Sequence, residues 1–162
     1  MGLTAEAAYW FLPAVIPICI FVAWSDMKRM KIPNIATDGL IICYAILGLI
    51  ALPFVDYLWH WAHFVIMLLV GFILYALRVM GAGDSKFIAA AAPYFAVDDL
   101  FFILPLFASC LLAGLVTHRI AKYTPIRRAV PDWESWEDKR FPKGFPLSMT
   151  LVFYLVLVAI YR

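Results

Sequence analysis

Charged residues are scarce in this chain of 162 residues, where Asp, Glu, Lys and Arg together make up 15%, against roughly a quarter in soluble domains. Apolar residues make up 65% and aromatic residues 17%. This composition excludes a disordered chain, a coiled coil and a collagen-like repeat. The net charge of +2 is too small to indicate nucleic acid as a partner. The apolar excess therefore indicates a chain solvated by a lipid bilayer.

Cysteine patterns are also lacking. No CxxC spacing occurs, and each of the three cysteines lies inside an apolar run: Cys19, Cys43 and Cys110. We therefore expect neither a disulfide framework nor a zinc site. His60 and His63 are three residues apart, with only Asp56 as a nearby further ligand, so interfacial anchoring is favoured over a metal pair. The sequence predicts no metal and no cofactor.

The first apolar run has no basic segment before it and no A-x-A-like exit, which predicts a retained span rather than a cleaved signal peptide. A span needs about 20 apolar residues, because roughly 30 Å of hydrocarbon is crossed at 1.5 Å per residue. Five runs meet that length, and a shorter run is predicted as a fourth, short span. The predicted spans are about 7–24, 38–55, 59–77, 85–97, 100–117 and 147–161. Pro13 and Pro17 predict a distortion in the first span.

The positions of the charges test this count, since Lys and Arg accumulate in cytoplasmic loops. With six spans, 12 of the 13 Lys and Arg residues fall on one face and only Arg162 on the other. The opposite face collects the acids Glu6, Asp56, Asp98 and Asp99. A five-span chain would instead split the basic groups between the two faces. We therefore predict an all-α, six-span membrane domain over residues 1–162, with both termini outside the cytoplasm and a cytoplasmic loop at about 118–146.

Two aspartates stand out by position. Asp26 follows the first span, and Asp84 follows the third span directly after Gly81 and Gly83. The predicted topology places both at the cytoplasmic boundary of the membrane. The plainer interpretations are a helix-end carboxylate neutralised by Lys28 or Arg29 for Asp26, and a helix N-cap for Asp84. Two aspartates at one boundary, in a chain poor in acids, favour a functional pair over two unrelated caps.

Such a pair predicts acid and base chemistry, because two close carboxylates do not both ionise readily. The ionised member can take a proton from water as the water attacks a peptide carbonyl, and the protonated member can donate one. Which aspartate has which role stays open, since a coupled pair titrates as a unit. Lys28 and Lys86 are nearby in sequence and would favour the ionised form.

Three motifs in order carry a resemblance: Asp26-x-Lys28-x-x-x-Ile32-Pro33-Asn34, then Gly81-x-Gly83-Asp84-x-Lys86, then Phe141-Pro142-x-Gly144 before the last span. In these motifs and in its topology the chain resembles the type IV prepilin peptidase family, and in particular the short form associated with tight-adherence (Flp) pili. The resemblance implies an intramembrane aspartic endopeptidase that removes the basic leader from prepilins at the cytoplasmic face of the bacterial inner membrane. It also implies the pilus assembly machinery as a further partner.

The resemblance implies that Asp26 and Asp84 are the catalytic aspartates and that Gly81 and Gly83 are the glycines before the second one. Long members of the family carry an N-terminal cytoplasmic segment with paired CxxC motifs, which is tied to zinc binding and to N-methylation of the product. No such segment precedes the first span in this sequence. We therefore expect peptidase activity without methyltransferase activity and without bound metal.

Further residues near the predicted boundary are candidates for supporting roles. Asn34 and Lys86 are placed beside the site, and Pro33 is expected to begin the second span. Asp38 is a first-turn charge of that span, with leader binding as its alternative role. The acidic run in the long loop is expected either to lie at the headgroup level beside its two tryptophans or to contact the leader's positive charges through Asp132, Glu134, Glu137 and Asp138.

Two other function classes stay open at this point. A small proton-coupled transporter would also carry membrane aspartates, but these cluster near the bilayer midplane, often in paired repeats. No internal repeat is visible in this sequence. A non-catalytic assembly protein of an envelope machine would use the same aspartates only as helix caps.

Overall fold

The computed structural model describes residues 2–138 and 140–162, and these contain helices and turns with no strand. Lys139, which is one of the basic residues counted above, lies outside the described residues. The α-helices are α1 Ala5–Arg29, α2 Asn34–Ala51, α3 Phe54–Ala76, α4 Ala82–Ala91, α5 Leu100–Lys122, α6 Ile126–Ala129 and α7 Gly144–Tyr161. Short 3₁₀ turns follow α4, precede α5 and lie between α6 and α7.

Five of these helices are long and apolar enough to cross a membrane: α1, α2, α3, α5 and α7. The predicted all-α class is therefore confirmed, and five helices are candidates for membrane spans. The predicted fourth span corresponds to α4 and the 3₁₀ turn Ala92–Tyr94. The ten residues of α4 extend about 15 Å, or half of the hydrocarbon thickness. The six-span count and the orientation of the termini stay predictions.

Two helices begin directly after a proline, α2 near the predicted cytoplasmic boundary and α3 near the predicted outer boundary. Pro33 and Pro53 stand immediately before α2 and α3 as their N-cap residues. The predicted boundary between the second and third spans is therefore wrong by several residues. Phe54 and Val55 belong to α3 rather than to the second span, because Pro53 cannot donate a hydrogen bond to continue α2.

The centre of the molecule is the antiparallel pair formed by α1 and α7, which share the most extensive helix contact. On α1 one buried stripe runs along the helix and ends at Asp26: Phe11, Val15, Cys19, Val22 and Asp26. The facing stripe on α7 begins at Gly144: Gly144, Ser148, Leu151, Leu155 and Val158. Spacings of three and four residues keep each set on one helix face. This packing brings the end of α1 against the beginning of α7.

The connection between α5 and α7 folds back onto the helices. α5 continues to Lys122, so the predicted loop at 118–146 is shorter than expected, in keeping with the basic residues that stabilise the last turn of a helix. The acidic run holds only a 3₁₀ turn, Glu134–Trp136. The Trp136 side chain is buried, stacks on His118 and donates its indole N–H to the Val130 carbonyl. Trp136 is thus part of a small packed core rather than a headgroup anchor.

A polar network closes the opposite end of the α1 and α7 pair. Asp99, which precedes α5, is buried and forms an ion pair with Arg162 at the end of α7. Its second oxygen accepts a hydrogen bond from the Tyr154 hydroxyl at 2.7 Å. Arg162 also donates to the Leu3 carbonyl at 2.9 Å. The network therefore joins the start of α1, the start of α5 and the end of α7.

Candidate active site

A cavity of about 670 Å³ opens where α1 and α3 end and where α4 and α7 begin. Both singled-out aspartates line it, although they are 58 positions apart in the chain. The distribution of Lys and Arg predicts that this end of the helices faces the cytoplasm. Six charged residues line the cavity: Asp26, Lys31, Arg78, Asp84, Arg140 and Lys143. The fold thus gathers two carboxylates and four cations at one end of the helices.

Asp26 is almost completely buried, with 4% of its surface exposed. Its Oδ2 accepts a hydrogen bond from the Gly144 backbone N–H at 2.6 Å, and the Phe145 N–H also lies near the carboxylate. These are the first two amides of α7, which have no partner within their own helix. The carboxylate therefore sits where the helix dipole favours negative charge. Across the cavity it also experiences the negative charge of Asp84.

Asp84 is half-buried in the first turn of α4, outside the five spanning helices. The N-cap of that helix is Gly81, whose N–H lies near the Asp84 carboxylate, as in the reciprocal contact of a capping box. Gly71 on α3 allows the turn to pack closely, because a Cβ there would lie 3.1 Å from the Ser85 side chain. Asp84 therefore combines a capping contact with a position on the cavity.

The cations beside Asp84 come from the segment that precedes α7. Burial raises the pKa of the Asp84 carboxyl above its ordinary value, while Lys143, the Gly81 N–H and Arg140 all act in the opposite direction. Sequence reasoning missed both Lys143 and Arg140 and named Lys28 and Lys86 instead. The available signal was the motif Phe141-Pro142-x-Gly144, because Arg140 immediately precedes it and Lys143 occupies its variable position.

Backbone strain is concentrated at the same cavity. Met30 and Arg78 are the non-glycine residues with positive φ among residues 2–138 and 140–162, at 51° and 59°. Met30 ends α1 and Arg78 follows α3, and both line the cavity. A left-handed conformation costs a non-glycine residue about 1–2 kcal/mol, and such strain clusters at functional sites.

A family model described as the type IV leader peptidase family matches residues 14–118, about two thirds of the chain. The chain belongs to the type IV leader peptidase family. This confirms the resemblance drawn from the motifs, and membership of this family supports peptidase activity. The match includes both aspartates and ends before the loop that connects α5 to α7. Searches among curated proteins and among solved structures find no match.

The remaining residues named beside the aspartates lie around the cavity in different ways. Gly83 lines it and packs against Ile32. The Lys86 ammonium donates to Asn34 Oδ1 at 3.1 Å and so ties α4 to the start of α2. The Lys28 ammonium lies 5.0 Å from the centre of the Trp24 ring and does not line the cavity. Asp38 is exposed on α2 and is likewise outside the cavity lining.

The four acidic residues of the loop fall into two pairs with different surroundings. Glu137 forms an ion pair with Arg127, and Asp138 forms one with Arg140, which holds the pKa of the Asp138 carboxyl at about 2. Asp132 and Glu134 are exposed and form no such pair within the described part of the chain. The second pair therefore keeps its negative charge available to a partner.

The histidines do not form a metal site in the described part of the chain. In residues 2–138 and 140–162, no three His, Cys, Asp or Glu side chains come together as a metal site would require. His60 is buried rather than interfacial, and its Nδ1 is 2.7 Å from the Pro93 carbonyl oxygen. Its role in the described structure is to join α3 to the turn after α4.

Proposed function

We propose that this protein is an intramembrane aspartic endopeptidase that removes the basic leader from Flp-type prepilins at the cytoplasmic face of the bacterial inner membrane. The observation that carries the proposal is the pairing of Asp26 and Asp84 on one cavity at a single end of the helices. Membership of a leader peptidase family supplies the reaction class. The Flp-type substrate, the membrane and the two-aspartate chemistry are inferences from these observations and from the motifs.

In the proposed reaction, water enters the cavity and gives a proton to the ionised carboxylate as its oxygen bonds to the carbonyl carbon of the leader junction. The protonated carboxyl donates its proton to the departing amine as the C–N bond breaks. The products are a leader with a new carboxylate and a pilin with a new amino terminus. The two aspartates act as one coupled acid and base.

The location of the cavity suits a substrate made of two unlike parts. A basic leader stays in the cytoplasm, whereas the apolar helix that follows it stays in the bilayer. The junction then lies at the membrane boundary, where Asp26 and Asp84 line a cavity that water can enter. We further propose that Asp132 and Glu134 attract the basic leader, and that the processed pilin passes to a pilus assembly machinery.

The decisive experiment is cleavage of a leader-bearing prepilin by the purified protein in detergent, with wild type compared with Asp26→Asn and Asp84→Asn. Both variants should lose cleavage by about 10³-fold or more, because each removes a group that moves a proton. A melting curve for each variant checks folding. Full activity in either folded variant would make that aspartate structural. Absence of cleavage by wild type would favour the transporter or assembly-protein alternatives.

The same assay tests the absence of methyl transfer. None of the three cysteines has CxxC spacing, so we propose cleavage without N-methylation. The mass of the processed pilin, measured after incubation with S-adenosylmethionine, should equal that of the unmethylated product. A product heavier by one methyl group would refute this part of the proposal.

A further inference from the structure

The first turn of α7 contacts an aspartate that lines the cavity, although this turn lies beyond residues 14–118, where the family match ends. The contact is made by backbone groups. The Gly144 N–H is 2.6 Å from Asp26 Oδ2, and the Phe145 N–H also lies near the carboxylate. No cation forms an ion pair with Asp26 in the described part of the chain. These two amides are therefore the main groups that fix the carboxylate in place.

The contact leaves no space for a side chain at position 144. A Cβ built on Gly144 would lie 2.9 Å from Asp26 Oδ2 and 3.0 Å from its Cβ and Cγ. Distances this short require movement. The carboxylate cannot simply swing away, since Asp26 is 4% exposed and terminates the buried stripe of α1. Asp26 can therefore keep its observed position only if residue 144 is a glycine.

We propose that Gly144 is a positioning residue for catalysis, and that the first turn of α7 holds the Asp26 carboxylate in the orientation needed for proton transfer. This inference rests on the proposed peptidase function. The glycine does not touch the reacting peptide. It acts through Asp26, by letting two amide donors approach the carboxylate and by excluding any side chain from the space between α1 and α7.

If Gly144 served only to let the two helices pack closely, the group opposite it would not need to be charged. Further along the same interface, the small residues Cys19 and Ser148 allow close packing without a charged group. At Gly144 the group opposite is a carboxylate that also lines the cavity with Asp84. The contact therefore links packing at the α1 and α7 interface to one member of the proposed catalytic pair.

The test is the Gly144→Ala variant in the prepilin cleavage assay, with kcat and KM determined separately. We expect kcat to fall about 10–100-fold, because displacing a catalytic group by a fraction of an ångström to 1 Å costs up to about 10²-fold. KM should stay within about twofold, because Gly144 is buried and faces Asp26 rather than the substrate. An unchanged kcat in a folded variant would overturn the inference.

Gly114→Ala is the matched control. Gly114 is also buried, and a Cβ there would meet the side chains of Phe141, Phe145 and Pro146 at 3.4–3.5 Å, which is ordinary contact. The control thus adds the same methyl group against the same segment without touching Asp26. Its kcat and KM should match those of wild type. An equal fall in kcat for Gly114→Ala and Gly144→Ala would mean that the segment is merely sensitive to packing, which would also overturn the inference.

A melting experiment keeps the inference testable if Gly144→Ala folds poorly. Asp26→Gly removes every side-chain atom that the new methyl group would strike. Gly144→Ala should therefore lower the melting temperature by about 4 °C or more in the Asp26 protein and by much less in the Asp26→Gly protein. Equal decreases in both backgrounds would show that Gly144 does not act through Asp26.

The two sets of results separate the inference from the proposed function. Absence of cleavage by wild type would refute the peptidase proposal, and the inference about catalysis would fall with it, while the melting cycle would still measure the contact. Cleavage by wild type with full kcat in folded Gly144→Ala would refute the inference and leave the peptidase proposal intact.

Discussion

Two buried aspartates lie at opposite ends of the α1 and α7 pair, and their surroundings differ. Asp99 is 7% exposed and is bonded to the Arg162 guanidinium and the Tyr154 hydroxyl. Asp26 is 4% exposed and is bonded to backbone amides, with no ion pair in the part of the chain that the structure describes. The charge of Asp99 is compensated within the fold, whereas Asp26 forms no ion pair in the described residues and lines a cavity. A buried carboxyl group without a counter-ion is costly to ionise, and its presence indicates chemistry rather than stability.

The largest expected effect comes from the Asp99→Asn and Asp26→Asn variants measured in parallel. Asp99→Asn should lower the free energy of unfolding by about 1–3 kcal/mol, since it weakens a partly buried, hydrogen-bonded ion pair, and should leave cleavage by the folded protein unchanged. Asp26→Asn should abolish cleavage and leave the melting temperature unchanged or raised, because a buried charge is removed while one oxygen can still accept from Gly144.

Melting in detergent together with prepilin cleavage makes this measurement. Asp56→Asn is a suitable control, because Asp56 is an acid at the same predicted face as Asp99 and forms no ion pair in the described residues. If Asp26→Asn destabilised the protein as much as Asp99→Asn and retained activity, the contrast between a structural and a chemical aspartate would be lost.

A smaller effect is expected when the network at Asp99 loses one neutral partner. Tyr154→Phe removes the hydroxyl that donates to Asp99 Oδ2 at 2.7 Å and accepts from the Ala96 N–H at 3.3 Å. The Ala96 N–H would lose its acceptor and Asp99 one of its two donors, which should cost about 1–3 kcal/mol and lower the melting temperature, with normal cleavage. Tyr161→Phe is the control, since Tyr161 is 80% exposed. Equal melting temperatures for the two variants would show that the hydroxyl contributes nothing.

The pH dependence of cleavage should report the charges around Asp84, the other aspartate of the site. Lys143 opposes the effect of burial and lowers the pKa of the Asp84 carboxyl. In Lys143→Met that pKa rises further, so the limb of the pH and rate profile that reports Asp84 should move to higher pH by up to about one unit. The direction is the same whether Asp84 serves as acid or as base, because only its own ionisation is moved.

Arg128→Gln provides the control for this experiment, because Arg128 is exposed and does not line the cavity. It removes one positive charge from the same loop and should leave the profile in place. A profile that moves equally in both variants would indicate a general effect of net charge. A profile that moves in neither would show that Lys143 does not act on Asp84.

Sequence reasoning could bring the two aspartates together because two independent patterns predict that both lie at the same end of the helices. Apolar run lengths place each at the end of a span, and the distribution of Lys and Arg places both ends on one face. It could not find the partners of Asp26, because these are backbone amides of Gly144 and Phe145, 118 and 119 positions away, and backbone donors leave no residue-type signal. It also misplaced the break between α2 and α3, since apolar residues continue on both sides of Pro53.

The smallest expected effect concerns the acidic run, where the same contrast recurs at the surface. The charges of Glu137 and Asp138 are paired with Arg127 and Arg140, whereas Asp132 and Glu134 form no such pair in the described chain. The variant Asp132→Asn with Glu134→Gln should therefore raise the KM for a basic leader by about 2–5-fold at low salt, because two screened surface charges contribute modestly to attraction. The effect should diminish as salt is added.

The matched variant is Glu137→Gln with Asp138→Asn, which removes the same number of charges from the same loop. Neutralising Glu137 and Asp138 leaves Arg127 and Arg140 without their acidic partners, but it removes no unpaired acid that could attract the leader. Any rise in KM would therefore come from repulsion between the two released cations and the basic leader. Asp138→Asn also releases Arg140 beside Asp84, which should lower the pKa of Asp84 and move its limb of the profile to lower pH. The Asp132 and Glu134 variant should leave that limb unmoved. If KM stays at the wild-type value when Asp132 and Glu134 are neutralised, the loop does not bind the leader, and its acidic residues serve only to pair with the basic residues around them.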